Sequence, residues 1–117
     1  GHNIEEFDIP VLIQEMDRNG IARSELTSLV TYYVDTRKLV KSPALWTEAN
    51  REFPSEAKSL GNLYRRVFSE DIPNAHTSIG DMVRANMRLL LELDPTMKHT
   101  KLHMRNLGAL VRKIRQE

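Results

Sequence analysis

Two ten-residue stretches carry the side chains best suited to chemistry. Residues 58–67, KSLGNLYRRV, hold Lys58, Asn62, Arg65 and Arg66, and residues 105–114, RNLGALVRKI, hold Arg105, Arg112 and Lys113. Aligned without gaps, Leu60, Gly61, Leu63 and Arg65 recur as Leu107, Gly108, Leu110 and Arg112. Guanidinium groups fork phosphate oxygens and guanine edges, and asparagine can pair with adenine, so this set of groups suits the gripping of a polyanion. At 3.6 residues per turn, Leu60, Leu63, Tyr64 and Val67 fall on one helical stripe and Lys58, Asn62, Arg65 and Arg66 on the opposite one. The second copy sets Leu107, Leu110, Val111 and Ile114 against Arg105, Ala109, Arg112 and Lys113 in the same way. A solvated basic face, common on surface helices, accounts for the pattern without any ligand. A glycine inside a helix costs about 1 kcal/mol relative to alanine, so Gly61 and Gly108 are expected where another backbone comes close.

Other chemistry is thinner. Trp46 and Tyr32 could stack unpaired bases beside a basic helix, whereas Tyr33 and Tyr64 fit core positions. His99 and His103, one helical turn apart, could meet one ion, and His76 precedes them. With no cysteine, no acid between Asp94 and Glu117, and Lys98 and Lys101 alongside, no metal site is expected. Neither a GxxxxGK[ST] phosphate loop nor a GxGxxG turn occurs, and no serine sits in a nucleophile elbow. No catalytic residues are therefore expected. A nucleoside triphosphate, held at a helix N-terminus beside Lys or Arg, is the one cofactor the pattern admits, as a helper to a nucleotidyltransferase or helicase elsewhere in a parent chain.

The elements that must position these groups read as helices throughout. Residues 1–8, starting Gly-His like a tag remnant, are expected to be a flexible leader. The run 9–20 has Pro10 in its first turn, Asn19-Gly20 as its stop, and Val11, Leu12 and Met16 inward. Residues 24–40 follow as one helix capped by Ser24; the β-branched and aromatic cluster at 30–34 could form a strand, but no alternating partner segment is evident. Ser42-Pro43 restarts a short helix carrying Trp46, Pro54 ends it, and Ser55 is expected to cap the first LG helix. Residues 69–78 are turn chemistry. A long helix capped by Thr77 or Ser78 runs to about Leu93 with Ile79, Met82, Val83, Met87, Leu90 and Leu91 inward. Asp94-Pro95 then repeats the Ser-Pro device before the last helix or helix pair, which carries the second LG copy. The expectation is an all-α bundle of six or seven helices: one domain over 9–117, with two loosely repeated helix-turn-helix-like lobes at about 9–70 and 77–117.

Bulk properties set the frame. The 117 residues suffice for one self-standing domain, and 40% hydrophobic with 28% charged residues is an ordinary globular composition. No apolar run approaches the ~20 residues of a membrane span. The absence of cysteine fits a reducing compartment, so an intracellular site, cytoplasm or nucleus, is expected. The net charge of +1 conceals a gradient: residues 1–17 have five acids and no Lys or Arg, while residues 95–116 have six Lys or Arg and no acid. Either the two ends attract each other or the basic end attracts phosphate.

SEAKSLGNLYRRVF, residues 55–68, resembles the recognition-helix segment of regulatory factor X winged-helix domains, in which a serine, an aromatic or leucine, a glycine and then Leu-x-Arg-x-Val-Phe occur in that order. It is also similar to helical and winged-helix accessory segments of plasmid and phage primase-helicase proteins. The glycine- and arginine-rich wing of the former family is missing after Phe68. The resemblance implies that Lys58, Asn62, Arg65 and Arg66 face DNA. The expected function is thus a non-catalytic DNA-binding domain of a larger replication protein, using Lys58, Asn62, Arg65 and Arg66 on one helix, Arg105, Arg112 and Lys113 on another, and Trp46. The alternatives are a helical protein-interaction module whose basic face meets an acidic partner, and a transcription-factor domain.

Overall fold

A buried carboxylate, Asp35, ties down the start of the chain. In the computed structural model, which describes residues 2–56, 59–73 and 79–115, Asp35 accepts from the backbone N–H of Asn3 at 2.8 Å and of Glu5 at 3.1 Å. The same side chain caps the helix Thr36–Leu39 by accepting from Arg37 N at 3.0 Å. Residues Ile4–Asp8, expected to be a flexible leader, instead form a wide π-helical turn, further held by Glu5, which pairs with Lys38 and accepts from the Tyr33 hydroxyl at 2.6 Å.

The fold is all-α. Helices α1 (Ile9–Arg18), α2 (Arg23–Thr27), α3 (Thr36–Leu39), α4 (Pro43–Glu48), α5 (Leu60–Phe68), α6 (Ile79–Leu93), α7 (Lys98–Leu102) and α8 (Leu107–Lys113) are accompanied, among the described residues, by one two-stranded ribbon, β1 (Tyr32–Tyr33) with β2 (Arg105–Asn106). Pro10 sits in the first turn of α1, and Gly20 closes its end with φ of 68°. Ile9, Ile13 and Met16 form its buried stripe, so Val11 and Leu12, expected inward, remain half exposed.

The continuous helix expected over residues 24–40 is broken in the middle. Tyr32 and Tyr33 extend and pair antiparallel with Asn106 and Arg105, and Leu107 N donates to Thr31 O at 2.9 Å. The β-branched and aromatic cluster found its partner more than seventy residues away, in a segment too short to show alternation. The last segment splits likewise into α7 and α8 around β2, and these two breaks raise the count to eight α-helices among the described residues.

Two hydrophobic cores result, and neither corresponds to a half of the chain. The larger gathers Leu39, Val40, Leu45, Trp46, Leu60, Leu63, Tyr64, Ile72, Ala85, Leu89 and Leu93, from α3 to α6. The smaller joins the two ends, with Ile9, Ile13 and Met16 of α1 packed on Leu107 and Val111 of α8. Residues 9–70 and 77–117 therefore do not pack as successive lobes, because α6 completes the core begun by α3 to α5 and α8 returns to α1 and α2. Arg23 locks that return: its guanidinium pairs with Asp17 at 2.7 Å and donates to the Val111 and Ile114 carbonyls at 2.9 and 2.6 Å, satisfying the C-terminal end of α8. The acids near the start are answered by bases outside the basic end, Asp17 by Arg23, Glu15 by Arg18 and Glu5 by Lys38.

A second buried carboxylate organises the α6–α7 turn. Asp94 accepts from His99 N, Thr100 N and the Thr100 hydroxyl at 3.2, 2.7 and 2.6 Å. Burial penalises its charge, but these hydrogen bonds together outweigh that penalty and its carboxyl lies below the usual value. Among the described residues no helix is long and apolar enough to cross a membrane.

Candidate nucleic-acid interface

Both LG stretches begin helices, and they begin them in the same way. Ser59 and Asn106 are the N-caps: the Ser59 hydroxyl accepts from Asn62 N at 3.2 Å, and the Asn106 amide oxygen from Ala109 N at 2.9 Å. Leu60 and Leu107 follow as buried first residues. Gly61 and Gly108 thus lie in the first turn, not mid-helix, and no foreign backbone presses on either. A Cβ on Gly61 would meet nothing within 4 Å, and one on Gly108 would meet the cap oxygen of Asn106 at 3.1 Å. Gly108 leaves room at its cap and Gly61 faces open space, so among the described residues the expected close backbone approach is absent.

On α5, Asn62, Arg65 and Arg66 are exposed as expected, and Lys58 lies outside the described residues. Ser69 ends the helix in the left-handed region, turning the chain so that Asp71 reaches Arg65, with Nε–Oδ1 at 2.7 Å. Arg66 is only loosely answered, by Glu52 at 4.0 Å. With Arg51, Glu52, Trp46 and Val67 it lines a cleft of about 390 Å³ between α4 and α5. Trp46 itself is 1% exposed, with its indole N–H donating to Val40 O at 2.8 Å. It is a core residue whose edge closes the cleft floor, so its expected role as a stacking platform is not available.

The other flank of α5 faces α6. Asp81, Arg84, Ala85 and Arg88, spaced at one and two turns, share a stripe that with Tyr64 and Pro73 lines a second cleft of about 240 Å³. Arg88 is fixed in place: it donates to the Tyr64 hydroxyl at 2.5 Å and to Glu70 at 2.7 Å, and lies 4.0 Å above the Phe68 ring. The Glu70 carboxylate, then Tyr64, raise its already high pKa. Arg84 answers Asp81 at 3.1 Å. None of Arg51, Arg84 and Arg88 stood out in the sequence, although the i, i+4 spacing of Arg84 and Arg88 on a strongly periodic helix was a usable signal.

The second basic set is differently placed. Arg105 is on β2, before the helix begins, and its guanidinium donates to the Leu102 and Met104 carbonyls at 3.0 Å each. Arg112 and Lys113 are exposed, with no carboxylate partner among the described residues. Since α5 and α8 belong to different cores, the two basic sets do not form one continuous helical face. Tyr32, on β1, is exposed, whereas Tyr33 is half-buried, its phenol pKa raised chiefly by desolvation. His99 is buried and its Nε2 meets Glu48 at 2.6 Å, joining α7 to α4. That contact, then Lys98 at 3.1 Å, holds the Glu48 carboxyl below its usual range.

No family model and no solved structure matches the chain. Two curated relatives do. Human three-prime repair exonuclease 1 is 29% identical over 84 residues, covering 70% of this chain and 25% of that protein. The bovine protein of the same name is 29% identical over 82 residues with the same coverage. The chain therefore spans about a quarter of the length of these relatives. A match covering 70% of 117 residues, wherever it starts, includes residues 36–82, and hence all of α5 and the start of α6.

Proposed function

We propose that this chain is a DNA-contacting helical segment of a protein that acts at nucleic-acid 3′ ends, with α5 and its two arginine-lined flanks as the contact region. The observation that carries the reading is the coincidence of two things. The stretch similar to a three-prime repair exonuclease necessarily contains α5, and α5 lies between two clefts, one lined by its own Arg66 with Arg51 from the turn after α4, the other by Arg84 and Arg88 of α6. Guanidinium groups around a helix answer the phosphate charge that dominates nucleic-acid affinity. The exonuclease relatives favour a nuclease as the parent protein over the primase-helicase type implied by the short motif.

A protein-interaction role is favoured by a different feature. Val83, Met87 and Leu91, spaced four residues apart, form an exposed apolar stripe on the outer side of α6.

Fluorescence anisotropy of labelled single-stranded and duplex oligonucleotides, taken through a salt series, tests the reading. A DNA-contacting segment loses affinity log-linearly with salt as counterions are released. Absence of binding at low salt, or equal competition by polyglutamate, would replace the reading with the interaction module.

A further inference from the structure

We infer that the cleft between α4 and α5 is a phosphate-anion site gripped by Arg51 and Arg66 above a floor of Trp46 and Val67. The strand-backbone version of this inference rests on the function proposed above; the nucleotide version does not. Two arginines from separate elements line one hollow, a local concentration of positive charge that favours an anion.

The placement of both is built into the fold. Asn50 takes the left-handed conformation, φ 57°, just past the end of α4, and Arg51 N donates back to Trp46 O at 2.8 Å. That closing turn fixes where the Arg51 side chain departs. Arg66 leaves α5 one residue before Val67, whose side chain packs against the larger core. The indole is immobilised by its hydrogen bond to Val40 O. The cleft thus has a rigid apolar floor and two cationic walls, with the Glu52 carboxylate also in its lining.

The chain's own acids answer these cations only in part. Glu52 stands 4.0 Å from Arg66 and is 89% exposed, so it can swing away at little cost. Glu92 takes one terminal nitrogen of Arg51 at 3.0 Å, leaving the other N–H donors of a five-donor fork available. By contrast, the Arg65 guanidinium is held by Asp71 through both Nε and Nη2. The volume, about 390 Å³, falls in the range of small-ligand sites. A phosphate between the guanidiniums, with a sugar or base against Val67, matches this lining. The phosphate could belong to a strand backbone or to a free nucleotide, since the recognised chemistry is the same.

Trp46 is the only tryptophan, so its emission reports directly on the cleft floor. The experiment titrates the chain with a single-stranded oligonucleotide and, separately, with a nucleoside monophosphate, following Trp46 emission in the native protein and in Arg51→Gln, Arg66→Gln and Arg112→Gln/Lys113→Gln variants. Arg51 and Arg66 make only partly exposed pairs, and unchanged circular dichroism confirms that the variants fold. The expected result is a saturable emission change, weakened about tenfold or more by either cleft substitution and by less than twofold by the α8 pair. Response to the oligonucleotide alone assigns the site to backbone phosphate, and an equal response to the monophosphate assigns it to free nucleotides. If the oligonucleotide binds but Arg51→Gln and Arg66→Gln leave its affinity unchanged, the cleft inference is overturned while the proposed function stands. If neither probe binds the native chain, both fall.

Discussion

The LG helices α5 and α8 share a sequence pattern, a capping device and a buried leucine at the first helical position, yet they do different work. α5 lies within the larger core between α4 and α6, and its basic residues border clefts made with those neighbours. α8 closes the ring between the two ends of the chain, and its C-terminal carbonyls are held by Arg23. The charge pattern is inverted relative to that placement. Arg65 and, loosely, Arg66 are answered by acids, while Arg112 and Lys113 have no carboxylate among the described residues. A repeated helix start is therefore a solution to capping that recurs, and what each copy does is decided by what packs beside it.

The comparison is broken most severely in the cores. Leu63 and Leu107 are almost fully buried, one in each core. Leu63→Ala and Leu107→Ala should each destabilise by about 2–5 kcal/mol in denaturant melts. Hydrogen exchange separates them: Leu107→Ala should deprotect α1 and α8 while α5 and α6 stay slow, and Leu63→Ala should do the reverse. Equal loss of protection everywhere would mean that the two cores act as one unit.

The caps come next. Ser59→Ala and Asn106→Ala should each cost about 1 kcal/mol, since each leaves a first-turn N–H without its side-chain acceptor. Thermal melts that show no change for either would remove the shared device on which the comparison rests. The glycines sharpen the contrast. Gly61→Ala meets open space and should stabilise by up to about 1 kcal/mol. Gly108→Ala must push the Asn106 cap oxygen, 3.1 Å from the new Cβ, and should gain less or lose.

Acid should loosen the α7–β2 end by a smaller amount. Burial, then the charges of Arg105 and His99, depress the His103 pKa below 6.5, so its neutral form belongs to the fold. Its contribution is complete above the unfolded value near 6.5 and is lost as pH falls through the lower folded value. Asp94 behaves in the same sense further down: its contribution is present above the ordinary carboxylate value and lost as pH drops through its depressed one. Melting temperatures taken from pH 7 to 5 should fall slightly, and His103→Gln should flatten that part of the curve.

Local signals were legible in the sequence to the extent that the structure uses local chemistry. The span of α1 with its Gly20 stop, the proline-led start of α4 and the helical LG stretches all follow from caps, prolines and apolar spacing; Asp94-Pro95 does not repeat the Ser-Pro device, since α7 starts only at Lys98 after a left-handed Met97. What escaped was set by distance. The 32–33 ribbon depends on a two-residue partner at 105–106, and Arg65 is answered by an acid six residues on, beyond a left-handed Ser69. On α6 the expected inward residues Met82 and Leu90 do pack against the larger core, with Ala85, Leu89 and Leu93, whereas Val83, Met87 and Leu91 point outward, because apolar residues on both faces blur the spacing. Trp46 looked like a surface aromatic because sequence spacing does not show that Val40 O accepts its N–H.

The most direct test of the account is a map of backbone amide shifts as a single-stranded oligonucleotide is added to the intact chain. The prediction is a cluster of shifted amides at Arg51, Asn62, Arg66 and Val67, joined by Arg84 and Arg88 across the helix. Shifts confined to Arg112 and Lys113 on α8, with α5 silent, would contradict it.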